Sequence, residues 1–157
     1  AARNPLFLRD EELDRSLELL LLAERDILGR AEDALAAFGI SDTDFRILYL
    51  VQRHPGATVA DLAAVLGRAK QSLSRHVKHL VALGLLRQEG LDSDRRKRAL
   101  VVTANAAHAI GAVGALHKRG LRRAFKSAGP EAVEGFQRVL SELIDGPARR
   151  LVGRSPA

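Results

Sequence analysis

Seven polar side chains crowd into one short stretch of the sequence: Arg68, Lys70, Gln71, Ser72, Ser74, Arg75 and Lys78. Helical spacing sets Gln71, Ser74, Arg75 and Lys78 on the face opposite Leu73, Val77 and Leu80. A guanidinium forks to the two acceptors of guanine, a carboxamide pairs with adenine, and short hydroxyls donate to phosphates or bases. A helix carrying this set can lie in a major groove ~12 Å wide and meet base edges with its first turns. An ordinary amphipathic helix with a solvated outer face would show the same local pattern.

A second run sharpens the choice. Asp94, Arg95, Arg96, Lys97 and Arg98 put four bases side by side, where a hairpin tip is expected. A tip is slender enough for a minor groove, and a narrow groove attracts inserted arginine through its strong negative potential. Asp94 adds nothing if only positive charge were wanted. It can instead hold an arginine by a charge-assisted hydrogen bond and aim it. The bland reading is a solvated turn.

The charge of the whole chain agrees with a polyanionic partner. The 157 residues hold 25 Lys and Arg against 19 Asp and Glu, a net charge of +6. Residues 68–98 alone carry nine bases and three acids, so the rest of the chain is neutral. A basic stripe on a neutral body is the electrostatic footprint of a nucleic-acid binder. Other chemistries find little support. With no cysteine, disulfide scaffolds, thiol catalysis and thiol redox switching are excluded. No phosphate loop, dinucleotide fingerprint or serine elbow is visible. His76 and His79 stand one turn apart with no acid close in sequence, which suits phosphate contact or a solvated surface better than a metal. The reading is therefore not an enzyme, with no cofactor and no metal.

The surrounding elements must position these residues. With 46% hydrophobic and only 4% aromatic residues, the core must be built from Leu, Val, Ile and Ala. Apolar residues recur every three or four positions from Glu11 to Phe38, which predicts one helix roughly 42 Å long, stopped by Gly39. That is more than one small domain needs, so part of it is expected to pack on a second subunit. Ser41 with Asp44, and Thr58 with Asp61, are capping-box signatures opening a helix up to His54-Pro55-Gly56 and a short one from Val59 to Leu66. After a turn containing Gly67, a helix from Lys70 to about Leu83 completes a helix-turn-helix. Strands at Leu85–Glu89 and Arg98–Val102, with a polar turn at Leu91–Arg95, add a wing. A helix from Thr103 to Gly129-Pro130 and another from Glu131 to Ile144 follow, and the basic tail is expected to fray. The fold class is thus mostly α with a small β-hairpin wing: a single domain over 1–157, with dimerisation helices at 11–38 and 104–150 flanking a winged helix-turn-helix lobe at 41–103. No apolar run reaches the ~18 residues that span a bilayer, and Arg9, Asp10, Glu11 and Glu12 precede any apolar run. A cytoplasmic protein without a membrane partner is expected.

The run Asp94-Arg95-Arg96-Lys97-Arg98-Ala99-Leu100-Val101-Val102-Thr103 resembles the wing signature of the MarR family of bacterial transcriptional regulators. Asp94, Arg96, Leu100 and Thr103 match it, and Val102 replaces the usual Leu. Leu62-Ala63 through Leu66-Gly67, Lys70 to Arg75, Val77, Leu80 and Gly84-Leu85 resemble the family's reading module. The Lys70-Gln71-Ser72-Leu73 run and the Phe7-Leu8-Arg9-Asp10-Glu11 start are similar to the PetP-like branch. Ala69 departs from the pattern, standing where the family has a Ser or Thr cap, and Asn105-Ala106 replaces the usual residues after the wing threonine.

The resemblance covers nearly the whole chain. It implies a homodimeric, sequence-specific binder of double-stranded DNA acting as a repressor on a pseudo-palindromic operator. It also implies release by a small aromatic or anionic effector. A site for that effector is expected where the first helix, the Ser41–Arg53 helix and the wing-proximal start of the fifth helix meet, lined by Arg46, Tyr49, Arg53 and His54. The alternative is a winged-helix module that binds protein or RNA without a ligand response.

Overall fold

The computed structural model describes residues 5–91 and 94–153. A 3-10 turn at Leu6–Leu8 leads into α1 (Asp10–Gly29), α2 (Glu32–Phe38), α3 (Asp42–Arg53), α4 (Val59–Leu66) and α5 (Lys70–Ala82). Strands β1 (Leu86–Leu91) and β2 (Asp94–Val102) form an antiparallel hairpin, followed by α6 (Ala104–Ala128), α7 (Pro130–Leu143) and α8 (Gly146–Gly153).

The expected capping boxes are formed. Ser41 Oγ accepts the Asp44 N–H at 3.1 Å while the Asp44 carboxylate accepts the Ser41 N–H at 2.9 Å. Thr58 and Asp61 repeat the exchange at 3.2 and 3.0 Å, so α3 and α4 each start with two backbone donors satisfied. Gly67 ends α4 at φ 60°, a left-handed conformation that lets the chain reverse into α5 within three residues. Thr103 caps α6 through the Ala106 N–H and also donates to the Gly84 carbonyl at 2.6 Å, fixing the exit of the wing against the end of α5.

The core lies inside the lobe formed by α2 to α6. Ile47, Leu48 and Val51 of α3, Leu62 of α4, and Leu73, Val77 and Leu80 of α5 are buried there. Leu86 and Leu100 from the wing and Ala106, Ile110 and Val113 from α6 close it. By contrast α1 and α7 bury no residue. Leu13, Leu17, Leu20 and Leu21 on α1 and Phe136, Val139 and Leu143 on α7 are all exposed.

Three expectations about the elements are corrected. The helix expected over 11–38 is two helices. Gly29 ends α1, and Ala31, fully buried, leaves helical geometry at φ −108°, ψ 2°. Glycine weakens a helix by ~1 kcal/mol relative to alanine. Burial of Ala31 and Leu35 in the lobe then redirects the chain, although the apolar spacing runs on unbroken. In the wing, where a polar turn was expected over Leu91–Arg95, β1 runs on to Leu91 and β2 already starts at Asp94; residues 92–93 lie outside the described residues. Pairing steps from Gly90↔Arg98 to Leu91↔Asp94, so the backbone of residues 95–97 bulges out of the ladder. The tail forms α8, which packs on α4. Pro147 and Leu151 border the same cleft as Ala64 and Val65, giving this short helix an apolar seat. Among the described residues, no helix is long and apolar enough to cross a membrane.

Candidate nucleic-acid interface

The helix-turn-helix is held together by its core-facing side, which leaves the other side of α5 open. Leu73, Val77 and Leu80 are buried, and between them Gln71, Arg75 and Lys78 stand exposed with Ser74 half-buried. An open cleft of about 530 Å³ runs along this face, lined by Lys70, Gln71, Ser74, Arg75 and Lys78. Arg68 is exposed in the turn, and Ser72 is half-buried outside that cleft.

A larger cleft of about 720 Å³ adjoins it between α4, α5 and the wing. Its walls are the first turn of α4 from Thr58 to Asp61, Lys70 and Ser74 of α5, and Gln88, Lys97 and Arg98 of the wing. The wing is tied to this wall by the Leu100 N–H, which donates to the Ala57 carbonyl at 2.8 Å, and by a bridge between Thr58 and Ala99. Lys70 and Ser74 line both clefts, so the reading face and the wing cations belong to one continuous surface. Among the described residues, Lys70, Arg75, Lys78, Lys97 and Arg98 enter no ion pair, whereas Arg87 is engaged by Glu89 at 2.9 Å. Unpaired cations on a concave surface favour a polyanion. The backbone of Asp94, Arg95 and Arg96 belongs to β2; their side chains lie outside the described residues.

The start of α5 has no side-chain cap. Ala69 occupies the N-cap position, and no acid stands in the first turn. Its first N–H groups therefore have no side-chain acceptor, a state suited to a phosphate oxygen.

His76 and His79 each hold a bond within the fold, while His79 also stays exposed to solvent, as its sequence surroundings suggested. His76 Nδ1 lies 2.7 Å from Asp44 Oδ1, and Asp44 is 3% exposed. A carboxylate only accepts, so this nitrogen carries the proton. His79 Nε2 donates to the Gly39 carbonyl at 3.0 Å. His76 fastens the reading helix to the start of α3, and His79 fastens it to the end of α2. The partners are 32 and 40 residues away, and Asp44 already has a sufficient role in the sequence as a cap.

Of the residues expected around an effector, Arg46 joins α3 to α1, and Tyr49, Arg53 and His54 follow it toward the end of α3. The Arg46 guanidinium binds Asp42 at 2.7 Å and Glu24 of α1 at 3.2 Å. Its hydrogen bond to Asp42 holds it above its ordinary range, against the opposing effect of burial. Tyr49 packs on Phe45 with ring centroids 5.6 Å apart, and Arg53 lies 5.8 Å from the Tyr49 centroid. His54 ends α3, where burial first and Arg53 second push it below its ordinary value. Sequence reasoning missed two further groups. His117 of α6 stands edge-on to Phe45 at 5.0 Å, with Nε2 buried and without a hydrogen bond. Asp42 Oδ1 is in the same condition. Burial lowers His117 below its ordinary 6.5, Asp42 opposes the shift, and Arg46 adds to it. His117 stands four residues after Val113 and continues the Ala106, Ile110, Val113 face of α6, so helical spacing was the signal that could have found it.

A model of the MarR family matches residues 38–97, the span from the end of α2 into the wing. The chain is 33% identical over 145 residues to the HTH-type transcriptional regulator PetP of Rhodobacter capsulatus, covering 92% of this chain and 87% of that one. Among solved structures it is similar to AbsC, a MarR family transcriptional regulator from Streptomyces coelicolor, at 25% identity and a TM-score of 0.67, covering 96% of this chain and 100% of that one. The MepR–DNA complex of S. aureus shares the fold at 18% identity and a TM-score of 0.56, with 80% and 95% covered.

Two outcomes are expected from this geometry. Replacing His76 with Ala leaves a buried carboxylate oxygen unpaired, which costs ~1–3 kcal/mol and should be read as a lower urea midpoint. His117 holds a proton less readily in the folded lobe than at its ordinary 6.5 in the unfolded chain, so its contribution is constant well above pH 6.5 and stability is lost as the pH falls below it. Urea midpoints measured from pH 7 to pH 5 should fall, and fall less steeply in His117→Gln.

Proposed function

Because this chain belongs to the MarR family of transcriptional regulators, we propose that it acts as a homodimeric repressor on a pseudo-palindromic DNA operator. The observation that carries this reading is the shared surface of the two clefts, where Lys70 and Ser74 join the outer face of α5 to the wing cations. In this reading Gln71 and Arg75 meet base edges in the major groove, while Lys70, Lys78 and the hydroxyls of Ser72 and Ser74 hold phosphates. Arg68 reaches the backbone from the turn. Lys97 and Arg98 line the path of one strand, and Asp94, Arg95 and Arg96 serve the adjacent minor groove. A chain of the same fold is found on DNA in the MepR complex.

The second subunit is supported by what the protomer leaves uncovered. The exposed leucines of α1 and the exposed face of α7 flank an apolar cleft of about 350 Å³ lined by Ile27, Leu121, Phe125, Val133 and Phe136. Pairing these faces about a twofold axis sets two α5 helices ~34 Å apart, one turn of DNA.

An effector at the α1–α3–α6 junction would act through Arg46. A small aromatic acid offers a carboxylate that competes with Glu24 for this guanidinium, and a ring to meet Tyr49. The unpartnered Asp42 Oδ1 and His117 Nε2 lie on the two helices such a ligand would touch. Arg53 and His54 border its outer side. A tenfold loss of DNA affinity requires ~1.4 kcal/mol of coupling, and DNA must weaken the ligand equally.

The test is selection of bound duplexes followed by anisotropy titration. Gln71→Ala or Arg75→Ala should relax preference at particular base pairs by ~1–3 kcal/mol each. Arg96→Ala should instead weaken binding to all sequences and flatten preference in A·T-rich flanks. Equal weakening on every duplex by all three variants contradicts base reading by α5. Tighter binding of duplex RNA than of duplex DNA contradicts the operator itself.

A further inference from the structure

The last helix lies where the dimerisation elements do not. α8 sits on α4, the first helix of the helix-turn-helix, with Pro147 and Leu151 against Ala64 and Val65. Its two central arginines are used differently. Arg149 turns back on α7, donating to the carbonyls of Ile144 at 3.2 Å, Ser141 at 3.4 Å and Glu142 at 3.3 Å. These are the last carbonyls of a helix, so Arg149 caps α7 and fixes the angle at which α8 leaves it. Arg150 points elsewhere. It borders the α4–α8 cleft together with Ala60 and Asp61. Among the described residues it has no ion-pair partner, and the Asp61 carboxylate accepts the Thr58 N–H at 3.0 Å.

Ala60 and Asp61 also line the larger cleft that holds Lys70, Lys97 and Arg98. The first turn of α4 is therefore a wall common to both clefts, with the wing cations on one side and Arg150 on the other. The first helix of a helix-turn-helix crosses the sugar-phosphate backbone. A strand lying in the larger cleft continues past α4 toward α8.

We propose that α8 is a second, sequence-independent contact to the DNA backbone, made by Arg150 with a phosphate beyond α4. This rests on the DNA reading above and extends the interface to an element outside the winged lobe. Such a contact adds affinity on every duplex and no base preference. It also gives the C-terminal helices a share in the bound state, since Arg149 locks α8 to α7.

The experiment measures the salt dependence of binding to a short random-sequence duplex, on which base reading contributes little. Each phosphate neutralised contributes ~0.9 to the slope of log affinity against log salt. R150A should lower the slope by ~0.9 per protomer, with unchanged helical content, and R150K should keep the parent slope. An R150A slope equal to the parent's overturns the α8 contact and leaves the α5–wing interface standing. An R150K slope as shallow as that of R150A overturns it too. If the parent protein shows no affinity for the duplex, the DNA reading falls, and this inference with it.

Discussion

The Asp44 carboxylate is the group on which the arrangement of the lobe depends. It is the one charged side chain buried among the described residues, at 3% exposure. A buried carboxylate is tolerated only when its oxygens are matched by donors. Here one oxygen takes the Ser41 N–H, which starts α3, and the other takes His76, which lies in the middle of α5. A single group therefore decides both where one helix begins and how the reading helix is rotated against it. Hydrophobic contact between Leu48, Leu73 and Val77 is non-directional and would accept several rotations of α5. The short, directional bond to His76 accepts one. His79 on the Gly39 carbonyl adds a second fastening one turn further along.

This rigidity on the inner side contrasts with the outer side, where the cations are left unpaired. Lys70, Arg75, Lys78, Lys97 and Arg98 line two adjoining clefts that are open to water and ions, which screen their like charges. The same feature makes binding to a polyanion favourable, since neutralising the cluster releases counterions from the nucleic acid. Alpha-helix α5 has no cap for a related reason. A Ser or Thr at position 69 would satisfy one of the first N–H groups internally, whereas Ala69 leaves them without a side-chain acceptor.

Glu24, Asp42 and Arg46 join the exposed α1 to the lobe at its other end. The link is partly solvated and rests on two carboxylates sharing one guanidinium. Behind it, Asp42 Oδ1 and His117 Nε2 are buried without partners. Unsatisfied atoms of this kind cost stability, unlike the matched Asp44–His76 contact a few residues away.

Much of this was legible in the sequence. Apolar spacing located α3 to α7, the Ser41–Asp44 and Thr58–Asp61 pairs located two helix starts, and the bases of residues 68–98 located the candidate interface. These signals are local, arising from periodicity, caps and charge within a few residues. Tertiary structure decided the rest. The split of 11–38 into α1 and α2 depends on Ala31 and Leu35 finding a core built by α3 and α6, and the run of apolar residues shows no break there. The roles of His76 and His79 depend on partners more than thirty residues away. Spacing sets His117 on the Val113 face of α6, but its edge-on contact with Phe45 and its unpartnered nitrogen come from the packing. The tail became α8 because α4 presents Ala64 and Val65 to it, and eight residues alone are too few to hold a helix in water. Periodicity within a segment records which face is apolar; what covers that face, and which polar atoms are carried inside with it, is set by the rest of the chain.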